Sequence, residues 1–296
     1  MKVAFCTMEK FDNRLRDSVG SSRIRGSWLI RYWPEAEEFI IAKKYDVIIF
    51  QKVYWSQMMD NFEGIKILDI CDPDWVEGKP VLEYVDKADA TVVSTPALRD
   101  YMVKFRPDSK IICIPDRIDL EEHDKYKKVK HTGIAQTVAW FGYSHNIHYI
   151  YKTFEYLIPK GLKLVVISDQ PFNPPVQYQG LKFENIPYAY PGVHKEIVKC
   201  DMLLMPESND DLRGRFKSNN KTLTGWALGV PVVQVPADID RFMDPIERQK
   251  EADLRYAEIK DKWDVRQSVR EYQELIVEIV KNRANKVNEK PKEAVE

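Results

Sequence analysis

The stretch RGRFKSNNKTLTG, residues 213 to 225, crowds Arg213, Arg215, Lys217 and Lys221 around the amides of Asn219 and Asn220. Within one helix length it leads into the apolar run Val230-Pro231-Val232-Val233. A helix that starts near Asn219 or Asn220 can be capped by either side chain. Its unpaired N–H groups and its dipole favour an anion at that end. Lys221 falls on the first turn, where a cation is electrostatically unfavourable unless an anion joins it. The predicted chemistry is a grip on a phosphate or diphosphate, with Lys221 at its centre, Arg215 and Lys217 behind it, and Asn220, Thr222 and Thr224 as polar neighbours. For Arg213 and Lys217 the alternative is a solvated loop cation.

Other residue groups invite chemistry of their own. Gly142 closes an apolar run and precedes a helix that Ser144 or Asn146 can cap, so its backbone can approach a ligand closely, although a plain tight turn uses glycine equally. His145 and His148 stand three apart, which suits a metal, but no third ligand lies at a useful spacing. One of them contacting a ligand phosphate, or simple surface imidazole, is the other reading. Arg23 and Arg25 flank the start of a helix that Ser21 or Ser22 can cap, repeating the anion logic of Lys221. In DICDPDW, Asp69, Asp72 and Asp74 follow an apolar run; Asp72 and Asp74 form a DxD that could hold a divalent cation, and Asp-Pro also starts turns. Tyr188 and Tyr190 can flank a planar ring or pack on the helix at 193–199.

These groups need elements to hold them. Short Val- and Ile-rich runs at 2–8, 46–53, 65–70, 90–94 and 110–115 alternate with amphipathic stretches such as 21–33 and 96–105. Runs apolar on both faces and separated by helices predict a parallel sheet covered on both sides. The pattern restarts with runs at 137–142, 162–167, 181–186, 201–206 and 230–236, a second α/β unit. The charged segment EEHDKYKKVKHTG, 121–133, reads as the linker between a domain at 1–128 and one at 134–245. Helices follow over 246–283, with Val265, Val269, Tyr272, Leu275, Ile276 and Ile279 on one side of the last. Residues 284–296 read as a polar tail that frays.

Composition narrows the function. With 45 basic and 46 acidic residues among 296, the net charge is −1, so no global field draws the chain to nucleic acid or anionic lipid. Cys6, Cys71, Cys113 and Cys200 lie far apart without CxxC spacing and read as buried thiols of a reducing compartment. No run approaches the roughly 18 apolar residues of a membrane span. A soluble, cytoplasmic protein is expected.

The segment NNKTLTGWALGVPVV resembles the K-x-x-E-A-x-A-x-G-x-P-V-V element of GT-B glycosyltransferases of the family 4-like group. Four further segments resemble that family's motifs in the same order: VDKADATVVSTPALRDYM, IICIPDRIDL, AWFGYSHNIHYI and CDMLLMPES. The resemblance covers roughly residues 2 to 240. It implies an α/β fold of GT-B type, two Rossmann-like domains facing across a cleft with C-terminal helices.

It also implies transfer of a sugar from a nucleoside diphosphate sugar to an acceptor hydroxyl, without a metal or other cofactor and with retention of configuration. Lys221 matches the lysine the family places against the donor diphosphate. Thr224 stands where the family usually has a glutamate that hydrogen-bonds the nucleotide ribose, a departure that also suits a non-catalytic nucleotide-sugar binder. A nucleotide-sugar epimerase can share the two-lobed fold. Under this resemblance Arg23 reaches the donor diphosphate or an anionic acceptor, Tyr188 meets the base, and Asp69, Asp72 and His145 are candidates to activate the acceptor. The acceptor class stays open among glycan, lipid-linked sugar, small molecule, protein and modified nucleic acid, and nothing in the sequence speaks to oligomeric state.

Overall fold

The computed structural model describes residues 1–11, 19–206 and 213–288. They form two α/β units: the first takes Met1–Asp116, Phe216–Ser218 and the helix Val265–Asn288, the second Arg117–Arg215 and Asn219–Asp264.

In the first unit β1 (Val3–Thr7), β2 (Ala36–Glu38), β3 (Val47–Gln51), β4 (Ile65–Ile70), β5 (Ala90–Val93) and β6 (Ile111–Cys113) form a parallel sheet in the order β2-β1-β3-β4-β5-β6. Every residue of β1 and β3 is buried, as continuous apolar runs require when helices cover both faces. The edge strand β2 carries Ala-Glu-Glu and has no apolar run to reveal it. The helical stretch from Gly20 to Arg31 widens into a π turn over Arg23–Ser27. There Gly26 lets it press on β1, since a Cβ at that position would lie 2.7 Å from Thr7 Cγ2. Neither Ser21 nor Ser22 caps it: Val19 precedes the first turn without a side-chain bond, and the Ser22 hydroxyl donates to Gln51 Oε1 at 3.1 Å. Phe216 joins this unit's core, edge-on to the stacked rings of Trp75 and Tyr101.

In the second unit β7 (Thr137–Gly142), β8 (Lys163–Ser168), β9 (Lys182–Pro187), β10 (Met202–Leu204) and β11 (Val232–Val233) form a parallel sheet in the order β11-β10-β7-β8-β9. Its core gathers Val138, Trp140, Ile150, Phe154, Leu164, Val166, Met202 and Leu204 around the central strands. The edge strand β9 is exposed and charged, with Lys182 and Glu184 on it, which discourages pairing with another chain.

Two expected boundaries move. The stretch 121–133 belongs to the second unit, and the division falls between Asp116 and Arg117. Asp119 caps the helix Leu120–Asp124, the Lys128 N–H donates to the Leu228 carbonyl at 2.9 Å, and His131 Nε2 meets the Gly229 carbonyl at 2.9 Å. These polar contacts fix a segment that lacks apolar periodicity. At the other end the helix continues through 284–288, beyond the expected start of the tail. Arg283 anchors that turn, donating to Asp89 at 2.7 Å and to the Gly64 carbonyl at 3.1 Å. The predicted apolar side of this helix is buried at all six positions, Val265, Val269, Tyr272, Leu275, Ile276 and Ile279.

Candidate functional site

The second unit builds its site at the carboxyl ends of β7 and β8, where parallel α/β sheets collect ligands. The helix Asn220–Ala227 turns its Lys221 toward the end of β7. The ammonium lies 5.8 Å from the Trp140 ring centroid and 5.7 Å from that of Phe141, within reach of both aromatic faces. It also fills the notch above Gly142: a Cβ there would stand 2.5 Å from Lys221 Nζ, and Gly142 has φ +156°. A side chain at Gly142 would displace the lysine, so the pair sets an ammonium beside a bare stretch of backbone.

The neighbouring strand supplies a carboxylate that the sequence reading did not single out. Gly142 pairs with Ser168 in register, and the Ser168 hydroxyl donates to the Gly142 carbonyl at 2.8 Å. Next in the chain, Asp169 accepts from the Ser144 N–H at 2.7 Å and lies 3.1 Å from the Ser168 hydroxyl, whose one proton it shares with the Gly142 carbonyl. Asp169 thereby takes the capping role assigned to Ser144 or Asn146; the residue before this helix, Tyr143, makes no side-chain cap. Burial pushes the Asp169 carboxyl up, but the bonds from Ser144 and Ser168 outweigh it and hold the group below its usual value. A strand-end acid following an apolar run, LKLVVISD, is the signal that could have found it. Tyr188, just past β9, donates its backbone N–H to the Ser168 carbonyl at 2.9 Å and so stands on this same edge.

The other predicted residues of this region divide sharply. Asn219 sits at the cap position without a side-chain cap bond, and the buried Asn220 amide nitrogen finds no hydrogen-bond partner among the described residues. Thr222 and Thr224 are buried, and the Thr224 hydroxyl donates to the Asn220 carbonyl at 3.0 Å, one turn back along its own helix. The Thr224 hydroxyl is thus turned away from the ligand contact expected of it. Arg213 and Arg215 are exposed, and Lys217 is exposed on the segment that packs with the first unit. Glu207 and Ser208, in the last of the resembling segments, lie outside the described residues. His145 is exposed and stacked on Tyr143, His148 Nδ1 meets the His145 carbonyl, and Tyr190 packs edge-on to His194 of the helix Gly192–Ile197. Among the described residues no group of three or more His, Cys, Asp or Glu could hold a metal ion.

The first unit spends its strand-end charges internally, which corrects three sequence expectations. Arg25 is buried: its Nε and Nη2 donate to Asp69 at 2.6 and 2.9 Å, and its Nη1 to Asp116 at 2.8 Å and the Ile114 carbonyl at 3.0 Å. The Tyr272 hydroxyl bonds Asp69 as well. Asp69 is fully buried in this knot and cannot face an acceptor, and Arg25 cannot bind an outside anion.

The DxD is also occupied. Lys52 Nζ lies 2.6 Å from Asp72 and 3.0 Å from Asp74, and the Tyr54 hydroxyl donates to Asp74 at 2.8 Å. An ammonium thus fills the place a divalent cation would take. Burial pulls the Lys52 ammonium down, but Cys71, Asp72 and Asp74 outweigh it and hold the group above its usual value. Lys52 has φ +53°, a left-handed conformation uncommon outside glycine, so its backbone is bent to bring the ammonium inside. Arg23, on the π turn, has its guanidinium 5.7 Å from the Trp28 ring centroid.

No family model matches the sequence. No curated protein matches it either. Solved structures do resemble the fold. HepE from Anabaena, in complex with UDP and glucose, superposes with a TM-score of 0.64 at 11% identity, covering 94% of this chain and 100% of that one. An alpha-glucosyltransferase in complex with UDP-glucose and DNA containing an abasic site gives 0.60 at 12%, covering 82% of this chain and 86% of that one. TarM gives 0.62 at 11%, over 78% of this chain and 54% of its own, so the chain spans about half the length of that protein. Two parallel α/β units that superpose on such proteins give the chain the GT-B fold.

Proposed function

We propose that the chain is a glycosyltransferase, moving a sugar from a nucleoside diphosphate sugar to an acceptor hydroxyl with Lys221 gripping the diphosphate. The observation that supports this reading above others is the Lys221 ammonium in the Gly142 notch at the carboxyl end of β7, beside the first turn of its own helix. In the reaction the bond from the anomeric carbon to the diphosphate breaks, the diphosphate leaves with the electron pair, and the acceptor oxygen bonds the anomeric carbon as its proton departs. Negative charge grows on the leaving group. A preorganised ammonium and helix N–H groups aimed at that charge lower the transition state more than the ground state. Loss of one such donor raises the barrier by about 2.7 to 4 kcal/mol. These groups meet the charge without a resident metal, and retention of configuration carries over from the family resemblance.

HepE and the alpha-glucosyltransferase were solved with UDP or UDP-glucose, which makes uridine diphosphate the first probe. The test is calorimetric or dye-monitored melting with UDP, GDP, ADP and their sugars. A ligand held at 100 times its Kd stabilises by about 2.7 kcal/mol, roughly 5 to 10 °C for units of this size. One diphosphate is expected to give that shift in the native chain and to lose it in Lys221→Ala. A shift that persists in the variant places the phosphate elsewhere. A non-catalytic binder is the second reading, favoured by the Thr224 hydroxyl being committed to the Asn220 carbonyl. It predicts the same melting shift but no turnover of the bound donor with any acceptor.

A further inference from the structure

Resting on that donor reading, we propose that Asp169 is the residue that binds the nucleotide ribose, accepting a hydrogen bond from its 2′- or 3′-hydroxyl in place of the carboxylate that position 224 lacks. The placement is topological. β7, the helical stretch from Ser144 to Leu157, and β8 form one parallel βαβ unit. In nucleotide-binding units of this kind the phosphate sits at the turn after the first strand, and an acid at the end of the second strand takes the ribose hydroxyl. Here Gly142 with Lys221 marks the first position, and Asp169 occupies the second.

Three observations support the assignment. The two positions are physically adjacent: Ser168 pairs with Gly142 in register, bonds its carbonyl at 2.8 Å and bonds Asp169 Oδ1 at 3.1 Å. The carboxylate is both held and accessible, since the Ser144 N–H fixes Oδ1 at 2.7 Å while the residue remains exposed and Oδ2 makes only a long 3.4 Å contact with the Ser144 hydroxyl. An ionised carboxylate offers about four lone-pair directions, so a hydroxyl donor still finds room. Finally, Thr224 cannot serve, because it is buried and its hydroxyl is turned onto Asn220.

A helix cap alone would explain the Ser144 bond, so the test separates capping from ribose binding. Asparagine at 169 keeps a side-chain oxygen within reach of the Ser144 N–H, whereas serine is too short to reach either that N–H or a ribose hydroxyl. Calorimetric Kd values are measured for UDP and 2′,3′-dideoxy-UDP with the native chain, Asp169→Ser, Asp169→Asn and Lys221→Ala, alongside the melting temperature of each. The native chain is expected to prefer UDP by about 10- to 100-fold, the range of a hydrogen bond to a charged group. Asp169→Ser is expected to lose that preference; loss of the Ser144 contact alone would lower the melting temperature but leave the ratio of the two Kd values unchanged. Asp169→Asn, which keeps a neutral acceptor, is expected to fall between.

Lys221→Ala is expected to weaken both ligands equally and keep their ratio. Equal binding of the two ligands by the native chain, or an unchanged ratio in both Asp169 variants, overturns the ribose assignment while leaving the diphosphate grip standing. Weak binding of every nucleoside diphosphate by the native chain overturns both.

Discussion

Adding one methyl group at Gly142 tests the diphosphate grip without removing any charge. In Gly142→Ala the new carbon would lie 2.5 Å from Lys221 Nζ, where ordinary contact begins at 3.4 Å, so the ammonium must retreat by about 1 Å. Retreat is the available response, because the methyl itself is boxed in by Trp140 Cζ2 at 3.3 Å and Cη2 at 3.4 Å. Two effects follow and can be measured apart. The backbone keeps φ near +156°, unfavourable for alanine; that strain costs about 1 to 2 kcal/mol, roughly 2 to 8 °C in melting temperature.

The displaced ammonium loses its charge-assisted bond to the diphosphate, worth about 1.5 to 3 kcal/mol, or a 10- to 150-fold rise in the Kd for UDP. Since this second effect acts through Lys221, Gly142→Ala in a Lys221→Ala background should add little further loss. The double-mutant cycle, read by titration calorimetry on variants shown to melt cooperatively, should therefore give a coupling close to the whole single-variant effect. Losses that simply add, or an unchanged Kd in Gly142→Ala, would refute the argument that the notch exists for the lysine.

The charge knots of the fold give three more predictions. Arg25→Met leaves Asp69 and Asp116 buried without their counter-charge, costing about 3 to 5 kcal/mol by denaturant unfolding, and adding Asp69→Asn with Asp116→Asn should recover much of it; a loss under about 1 kcal/mol would contradict the knot. Burial, aided by Lys128 and Arg248, pulls the His131 imidazole below its usual value although its contact with the Gly229 carbonyl opposes this; the folded chain then binds that proton less readily than the unfolded one, so stability is full above about pH 6.5 and falls as pH drops toward the depressed folded value, a slope that His131→Gln should flatten. Burial pushes the Cys6 thiol up to about 12 and the Cys200 thiol up to about 11, so a thiol reagent at pH 8 should label the half-buried Cys113 ahead of the three buried thiols, with all four reacting once the chain is denatured.

Much of the fold was legible because its strands are apolar on both faces. Runs such as VIIFQ and TVAWFG leave few alternatives to a covered parallel strand, and their alternation with amphipathic stretches restarts once, which is what two units require. Elements held by polar contacts were not legible. The strand Ala36–Glu38 has no apolar signature, and 121–133 looks like a linker until Lys128 and His131 find the carbonyls of Leu228 and Gly229. The site shows the same division. Lys221 could be read because a cation on a first helical turn conflicts with the dipole, and Gly142 because it closes a strand. Asp169 carried a signal, an acid closing the apolar run LKLVVISD, but its neighbourhood with Gly142 shows only in the fold, through the contact of Ser168 with a strand 26 residues away. Thr224 misled in the opposite way: the segment placed it correctly, but its hydroxyl turns back onto its own helix.

The distribution of charge across the strand ends argues for one donor unit and gives that argument a physical basis. In the first unit, Lys52 just after β3 is matched by Asp72 and Asp74, and Arg25 of the π turn by Asp69 and Asp116. Such knots consume binding capacity, because a cation held by two carboxylates has little attraction left for an outside anion. The ends of β7 and β8 hold the residues of the proposed donor site. Asp169 turns to a backbone N–H and a hydroxyl, and Lys221 lies against a glycine and two aromatic rings. Aromatic faces stabilise an ammonium by roughly 0.5 to 2 kcal/mol, so the two ring contacts by themselves oppose an arriving diphosphate only weakly. A near-zero net charge is compatible with binding a polyanion, because the attraction is local, set by where individual cations stand, and a total over all residues is blind to it.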